Sequence, residues 1–140
     1  MLAYAVPQTP SAAPAAVWLD TGWSYLERLA DRGPDGRSLR WRWMGDRARL
    51  GVISREPARV RLKFTAQAFG RARRVQLGAN GSAIATLTIG PDRAAYETPF
   101  FQLTPDVKLV ELRSLDGAES PGLDQRRLSI ALYRMELVAE

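Results

Sequence analysis

The chain has 140 residues, a formal net charge of +5, and neither cysteine nor histidine. The length suits one domain, and the missing residue types exclude disulfides, thiolate metal sites and any Ser-His-Asp or Cys-His catalytic arrangement within the chain. Hydrophobic residues make up 46% and charged residues 25% of the sequence, a normal globular balance, and no apolar run approaches the about 20 residues of a membrane span.

The N-terminal segment, residues 1–16, is predicted to be an extended linker because residues 7–16 combine three prolines with small residues. A linker at this place implies that another domain usually stands before it. The ordered domain is expected to span residues 17–140. One stretch after its start, Ser24 to Ala30, resembles a helix but is short, and we interpret it as one turn within a loop.

Alternating apolar and polar residues dominate the rest of the chain and predict β-strands. Arg40 to Trp43 alternates perfectly, so Trp41 and Trp43 share one face. Further strands are predicted at residues 48–53, 60–66, 75–79, 82–89, 96–103, 107–112 and 128–138. Eight or nine short strands at regular spacing indicate an all-β, antiparallel β-sandwich of the jelly-roll type.

Three local signals refine these strands. Asn80-Gly81 predicts a type I′ hairpin turn, which needs positive φ at both central residues. Pro99 indicates an edge or a bulge in its strand. The change of alternation phase near Tyr133 predicts a β-bulge in the last strand.

Several of these residues together resemble a known kind of domain. They are Gly22-Trp23, Glu27, Arg42-Trp43, Ala48, Leu50, the Asn80-Gly81 hairpin and Asp124-Gln125-Arg126-Arg127-Leu128. In order and spacing, over residues 17–138, they are similar to the jelly-roll, carbohydrate-binding-module-like accessory domain of bacterial glycosyltransferases and cell-surface glycan proteins. The resemblance implies a non-catalytic domain that binds glycan or positions a neighbouring glycosyltransferase or surface protein.

The candidate ligand-binding residues are of two chemical types. Indole rings stack on the apolar face of a sugar, while arginine and carboxylate groups hydrogen-bond its hydroxyls. The candidates are Trp23, Glu27, Trp41, Arg42, Trp43, Asp124 and Arg126. The structural alternative is that Trp23 and Trp43 seal one end of the sandwich, that Glu27 pairs with Arg42 or Arg126, and that Asp124 caps a turn.

Other chemistries have weaker support. Asp116, Glu119 and Asp124 share a loop that could hold structural calcium, but it lacks a dense Asp-x-Asp run, so we expect no cofactor and no metal. A glycosidase would need a pair of carboxylates, for which Glu27 with Asp20, Asp31 or Asp46 is the available choice. Because abundant arginines favour ion pairing of these groups, we expect no enzymatic activity.

The basic cluster Arg71-Ala72-Arg73-Arg74, with Arg59, Arg61 and Lys63, is the one nucleic-acid candidate. Aromatic residues are sparse around it, which favours a solvated surface over a groove for bases. The expected partner is therefore a carbohydrate or a neighbouring protein domain. The alternative function is a structural protein–protein interaction module of a larger assembly. The sequence does not indicate a cellular compartment.

Overall fold

In a computed structural model, the chain is described over residues 15–32, 38–123 and 125–140. These ranges form two antiparallel β-sheets that pack face to face as a jelly-roll sandwich. The first sheet contains, in spatial order, β1 (Ala15–Leu19), β4 (Arg47–Ser54), β10 (Leu109–Ser114), β6 (Arg73–Ala79) and β7 (Ser82–Ile89). The second contains β2 (Glu27–Arg32), β3 (Ser38–Met44), β11 (Ile130–Ala139), β5 (Ala58–Ala68) and β8 (Ala94–Glu97), and β9 (Phe101–Leu103) also pairs with β5.

The hydrophobic core lies between the sheets and is built from the alternate residues that the sequence pattern indicates. On β5, Val60, Leu62 and Ala66 are at most 1% exposed, whereas Lys63 is exposed. On the facing sheet, Leu50 and Val110 are buried to the same degree. Burial of this apolar surface is the main stabilising contribution to such a sandwich. Among the described residues, no helix is long and apolar enough to cross a membrane.

The predicted hairpin and the predicted bulge are both confirmed. Asn80 and Gly81 have φ of 50° and 78°, as a type I′ turn requires, and they connect β6 to β7. In β11 the pairing with β5 moves from Leu132 opposite Ala66 to Arg134 opposite Thr65. Tyr133 is therefore the extra residue of the bulge.

The predicted helical turn at Ser24 to Ala30 is wrong. Its second half belongs to β2, in which Glu27 pairs with Trp41 and Arg28 pairs with Arg40 of β3. A helix this short forms few internal hydrogen bonds, whereas the open edge of β3 supplies backbone partners. The tertiary pairing therefore overrides the local pattern.

Two other predicted boundaries differ from the observed ones. The strand expected at residues 96–103 is divided into β8 and β9, because Pro99 cannot donate to the ladder. Between them, the buried Thr98 accepts a hydrogen bond from Leu62 N through its Oγ1. At the N-terminus, β1 begins at Ala15, within the segment predicted as linker, and residues 1–14 of that segment lie outside the described residues.

Candidate functional site

An aromatic pair lies on the outer face of the second sheet. Trp41 of β3 and Tyr133 of β11 have ring centroids 5.6 Å apart, with their planes tilted by 36°. The bulge in β11 places Tyr133 here, and its Oη donates to Gln67 Oε1 at 2.7 Å. Trp43, two residues along β3, shares this face and contacts Phe69 edge-on at 5.7 Å. We call the surface formed by Trp41, Trp43 and Tyr133 the aromatic face.

Charged side chains border the aromatic face on one side. Glu27 is the cross-strand partner of Trp41, and its Oε1 lies 3.5 Å from Arg126 Nη2. The Arg126 guanidinium also lies 4.6 Å from the ring centroid of Tyr25, which is 62% exposed. Glu27 Oε2 is buried and accepts no hydrogen bond from the described residues, so this oxygen retains unused accepting capacity.

A further arginine lies over the tyrosine of the pair. The guanidinium carbon of Arg93 is 5.6 Å from the ring centroid of Tyr133. Burial raises the pKa of Tyr133, with Glu27 acting in the same direction and Arg93 opposing it. The phenol is therefore protonated at neutral pH and remains a hydrogen-bond donor.

The structure brings together four of the seven residues predicted as ligand-binding. Glu27, Trp41, Trp43 and Arg126 lie on or beside the aromatic face. Sequence reasoning missed Tyr25, Arg93 and Tyr133, which reach this surface from other elements. The change of phase near Tyr133 was the one local signal that pointed to any of them.

The remaining three residues are placed differently. Arg42 alternates with the two tryptophans of β3, and its Nη1 donates to the carbonyl oxygen of Ser24 at 3.0 Å. Trp23 packs against the core, and its Nε1 donates to the carbonyl oxygen of Arg49 at 3.0 Å. Both contacts hold the segment after β1 to the body of the domain. Asp124 lies outside the described residues.

The three arginines of the basic cluster at residues 71–74 form ion pairs with carboxylates of the domain itself. Arg73 is fully buried, and its Nη2 lies 2.9 Å from Glu119 Oε1. Arg74 Nη2 is 2.9 Å from Asp116 Oδ1, and hydrogen bonding from Arg74 lowers the pKa of Asp116 to about 2. Two of the three carboxylates considered for calcium, Asp116 and Glu119, thus face arginines, the third lies outside the described residues, and the absence of a metal remains a prediction.

By sequence, the chain matches no protein-family model and no curated protein. In structure it is similar to a xylan-binding CBM22 domain from Paenibacillus barcinonensis, with a TM-score of 0.51, 10% identity, and coverage of 88% of this chain and 85% of that chain. The fold is a jelly roll like those of carbohydrate-binding modules.

Two further similar structures belong to the same broad group. One is the C-terminal CBM6 of a Zobellia galactanivorans laminarinase, with a TM-score of 0.49, 7% identity, and coverage of 89% of this chain and 98% of that chain. The other is a family 11 carbohydrate-binding module from Clostridium thermocellum, with a TM-score of 0.43, 9% identity, and coverage of 96% and 94%. The similarity to the CBM22 domain, at 10% identity, shows the fold alone.

Proposed function

We propose that this domain is a non-catalytic carbohydrate-binding domain whose ligand lies on the aromatic face. The observation that carries the proposal is the Trp41–Tyr133 pair on the outer face of a sheet, with the Glu27–Arg126 ion pair beside it. Aromatic rings provide apolar area for the C–H face of a pyranose, and adjacent charged groups orient its hydroxyls.

The polar groups around the pair suit a neutral, hydroxyl-rich ligand. The Arg126 guanidinium offers several donors in a fixed fork, and Tyr133 is a protonated phenol. Glu27 Oε2 lacks a donor within the described ranges, so a small rotation of its side chain would let it accept from a sugar hydroxyl. Hydrogen-bond donors and an acceptor therefore lie next to the aromatic rings.

The same arrangement supports binding over hydrolysis. A glycosidase needs two carboxyl groups facing each other across the scissile bond, about 5–10 Å apart. Beside Trp41, Glu27 faces the guanidinium of Arg126 at 3.5 Å. An ion-paired carboxylate of this kind suits hydrogen bonding to a ligand better than it suits proton donation.

A domain that binds glycan without catalysis would serve to position the protein to which it is attached. We propose that the domain brings an attached glycosyltransferase or cell-surface protein to its glycan. Affinity at a shallow, preformed face of this kind should be modest, because a few stacked rings must offset the entropy lost on association.

The test is calorimetric titration of the domain with bacterial surface glycans and plain oligosaccharides. Trp41→Ala should weaken binding by about tenfold or more, since a stacked ring contributes at least about 1.4 kcal/mol through contact and buried area. Tyr133→Phe keeps the ring and should have a smaller effect. Trp18→Phe, on the other sheet, is the control and should bind normally.

Urea unfolding of each variant separates loss of binding from loss of fold. If no glycan binds, or if a folded Trp41→Ala domain binds like the wild type, the aromatic face is not a sugar site. A structural interaction module would then be the better account of the domain.

A further inference from the structure

A second concave surface lies on the outer face of the first sheet, which faces away from the aromatic face. It encloses about 690 Å³, within the size range of small-ligand sites. Its floor is formed by side chains of three neighbouring strands, β4, β10 and β6. We call it the arginine groove and define it by Arg47, Arg49, Gln76, Glu111 and Arg113.

The strand register places two like charges side by side at one end of the arginine groove. Arg113 of β10 is the cross-strand partner of Arg47 on β4 and of Gln76 on β6. Directly opposed like charges destabilise a sheet. Within the described ranges, neither Arg47 nor Arg113 forms an ion pair or a side-chain hydrogen bond that would offset this repulsion.

The rest of the groove neutralises little of this charge. Glu111 is the cross-strand partner of Arg49 and lies 3.5 Å from it, but both side chains are at least half exposed, so this ion pair contributes little. The lining thus contains three guanidinium groups and one carboxylate. Gly78 stands opposite Glu111 and contributes no charge, and the carbonyl oxygen of Ser82 lies 3.1 Å from where a Cβ of residue 78 would be.

We propose that the arginine groove binds an acidic oligosaccharide, one whose sugar rings carry carboxylate or sulfate groups. An anion held between Arg47 and Arg113 would replace their repulsion with charge-assisted hydrogen bonds from two planar donor forks. Asn80 and Ser82 at the rim offer neutral donors and acceptors for hydroxyls. A single-stranded nucleic acid fits less well, since it would need aromatic rings to stack its bases and the lining residues contain none.

The test is calorimetric titration with oligogalacturonate, its methyl ester and a sulfated dextran oligosaccharide. The ester keeps the sugar and removes the charge, so it should not bind. Arg47→Gln and Arg113→Gln should each weaken binding of the acidic sugar by about tenfold or more, as expected for losing charge-assisted hydrogen bonds. Arg55→Gln, at the exposed turn after β4, makes the same change in net charge and should bind normally.

Arg113→Glu reverses the charge at this position, and we expect it to keep the fold. It places a carboxylate opposite Arg47 and should raise or preserve the unfolding temperature while abolishing binding. Trp41→Ala should leave binding of the acidic sugar intact, which separates this site from the aromatic face.

Stronger binding of the sulfated or of the carboxylated probe, through the same arginines, identifies the anion and supports the proposal. The proposal is overturned if the wild type binds neither acidic sugar, or if Arg55→Gln weakens binding as much as Arg47→Gln. It is equally overturned if an oligoglutamate peptide or a single-stranded oligonucleotide binds as tightly through these arginines.

Discussion

The guanidinium of Arg73 is fully buried and ties two loops together, which makes it the most informative position at which to test the packing of the fold. Its Nε and Nη2 donate to the carbonyl oxygen of Phe69 at 3.0 and 2.8 Å. Its Nη1 donates to the carbonyl oxygens of Asp116 and Gly117 at 3.3 and 3.0 Å, and its Nη2 also donates to Glu119 Oε1 at 2.9 Å.

The substitution Arg73→Met keeps an unbranched side chain of similar reach and removes every one of these donors. Three backbone carbonyls then each lose one donor. Each keeps a second one: Phe69 O accepts from Arg71 N, Asp116 O from Arg71 Nη2, and Gly117 O from Ser114 Oγ. A hydrogen bond from a charged donor contributes about 1.5–3 kcal/mol, and the ion pair with Glu119 adds little because the Glu119 side chain is 50% exposed. We expect a loss of about 2–4 kcal/mol, a large fraction of the about 5–15 kcal/mol by which domains are usually stable.

Urea unfolding followed by tryptophan fluorescence measures this loss, and Arg71→Met is the matched control. Arg71 contacts the same Glu119, with Nε 3.2 Å from Oε1, but its side chain is 55% exposed. An exposed pair contributes about 0–1 kcal/mol, so the control should unfold almost like the wild type. A cost below about 1 kcal/mol for Arg73→Met, or equal costs for the two variants, would refute the reasoning.

Three more substitutions test single features. Gly51→Ala should shift tryptophan emission and cost about 1–3 kcal/mol, because its Cβ would fall 2.1 Å from the Trp18 ring; unchanged emission would contradict this packing. In Gly81→Ala the added Cβ would contact no atom, but the backbone φ of 78° at this position is strained for alanine. Urea unfolding should therefore show a loss of about 1–2 kcal/mol in the free energy of unfolding, and a neutral result would argue against the type I′ turn. The third substitution, at Asp116, tests how stability depends on acidic pH. The folded pKa of Asp116, about 2, lies below its ordinary 3.8, so the stability it contributes is present above about pH 4 and is lost as the pH falls towards 2. Asp116→Asn should flatten that part of the stability–pH curve, and an unchanged slope would exclude the Arg74 pair as its source.

The parts of the fold that the sequence predicts correctly depend on local rules. Alternation along β5 follows from the two-residue period of a strand with one buried face. The Asn80-Gly81 turn follows from the backbone geometry of those two residues, and the bulge at Tyr133 follows from the shift in phase around it. In each case the signal and the structure lie within a few residues of each other.

The failures depend on pairing between distant segments. β2 is a strand because the edge of β3 is open to it, and nothing within Ser24 to Ala30 carries that information. The candidate site divides in the same way. Alternation alone places Trp41 and Trp43 on one face, but Tyr133 joins them only because β11 pairs with β3 and contains a bulge.

The surplus of arginine shows why composition gives so little information about ligands. In sequence, Arg73 and Arg113 are equivalent contributors to a net charge of +5. In the fold, Arg73 is buried against carbonyls and a carboxylate, whereas Arg113 is exposed and opposes Arg47. The first arrangement is complete without a ligand, and the second becomes more favourable when an anion arrives. What distinguishes a binding arginine from a structural one is therefore whether the fold already supplies its partner, and that depends on strand register.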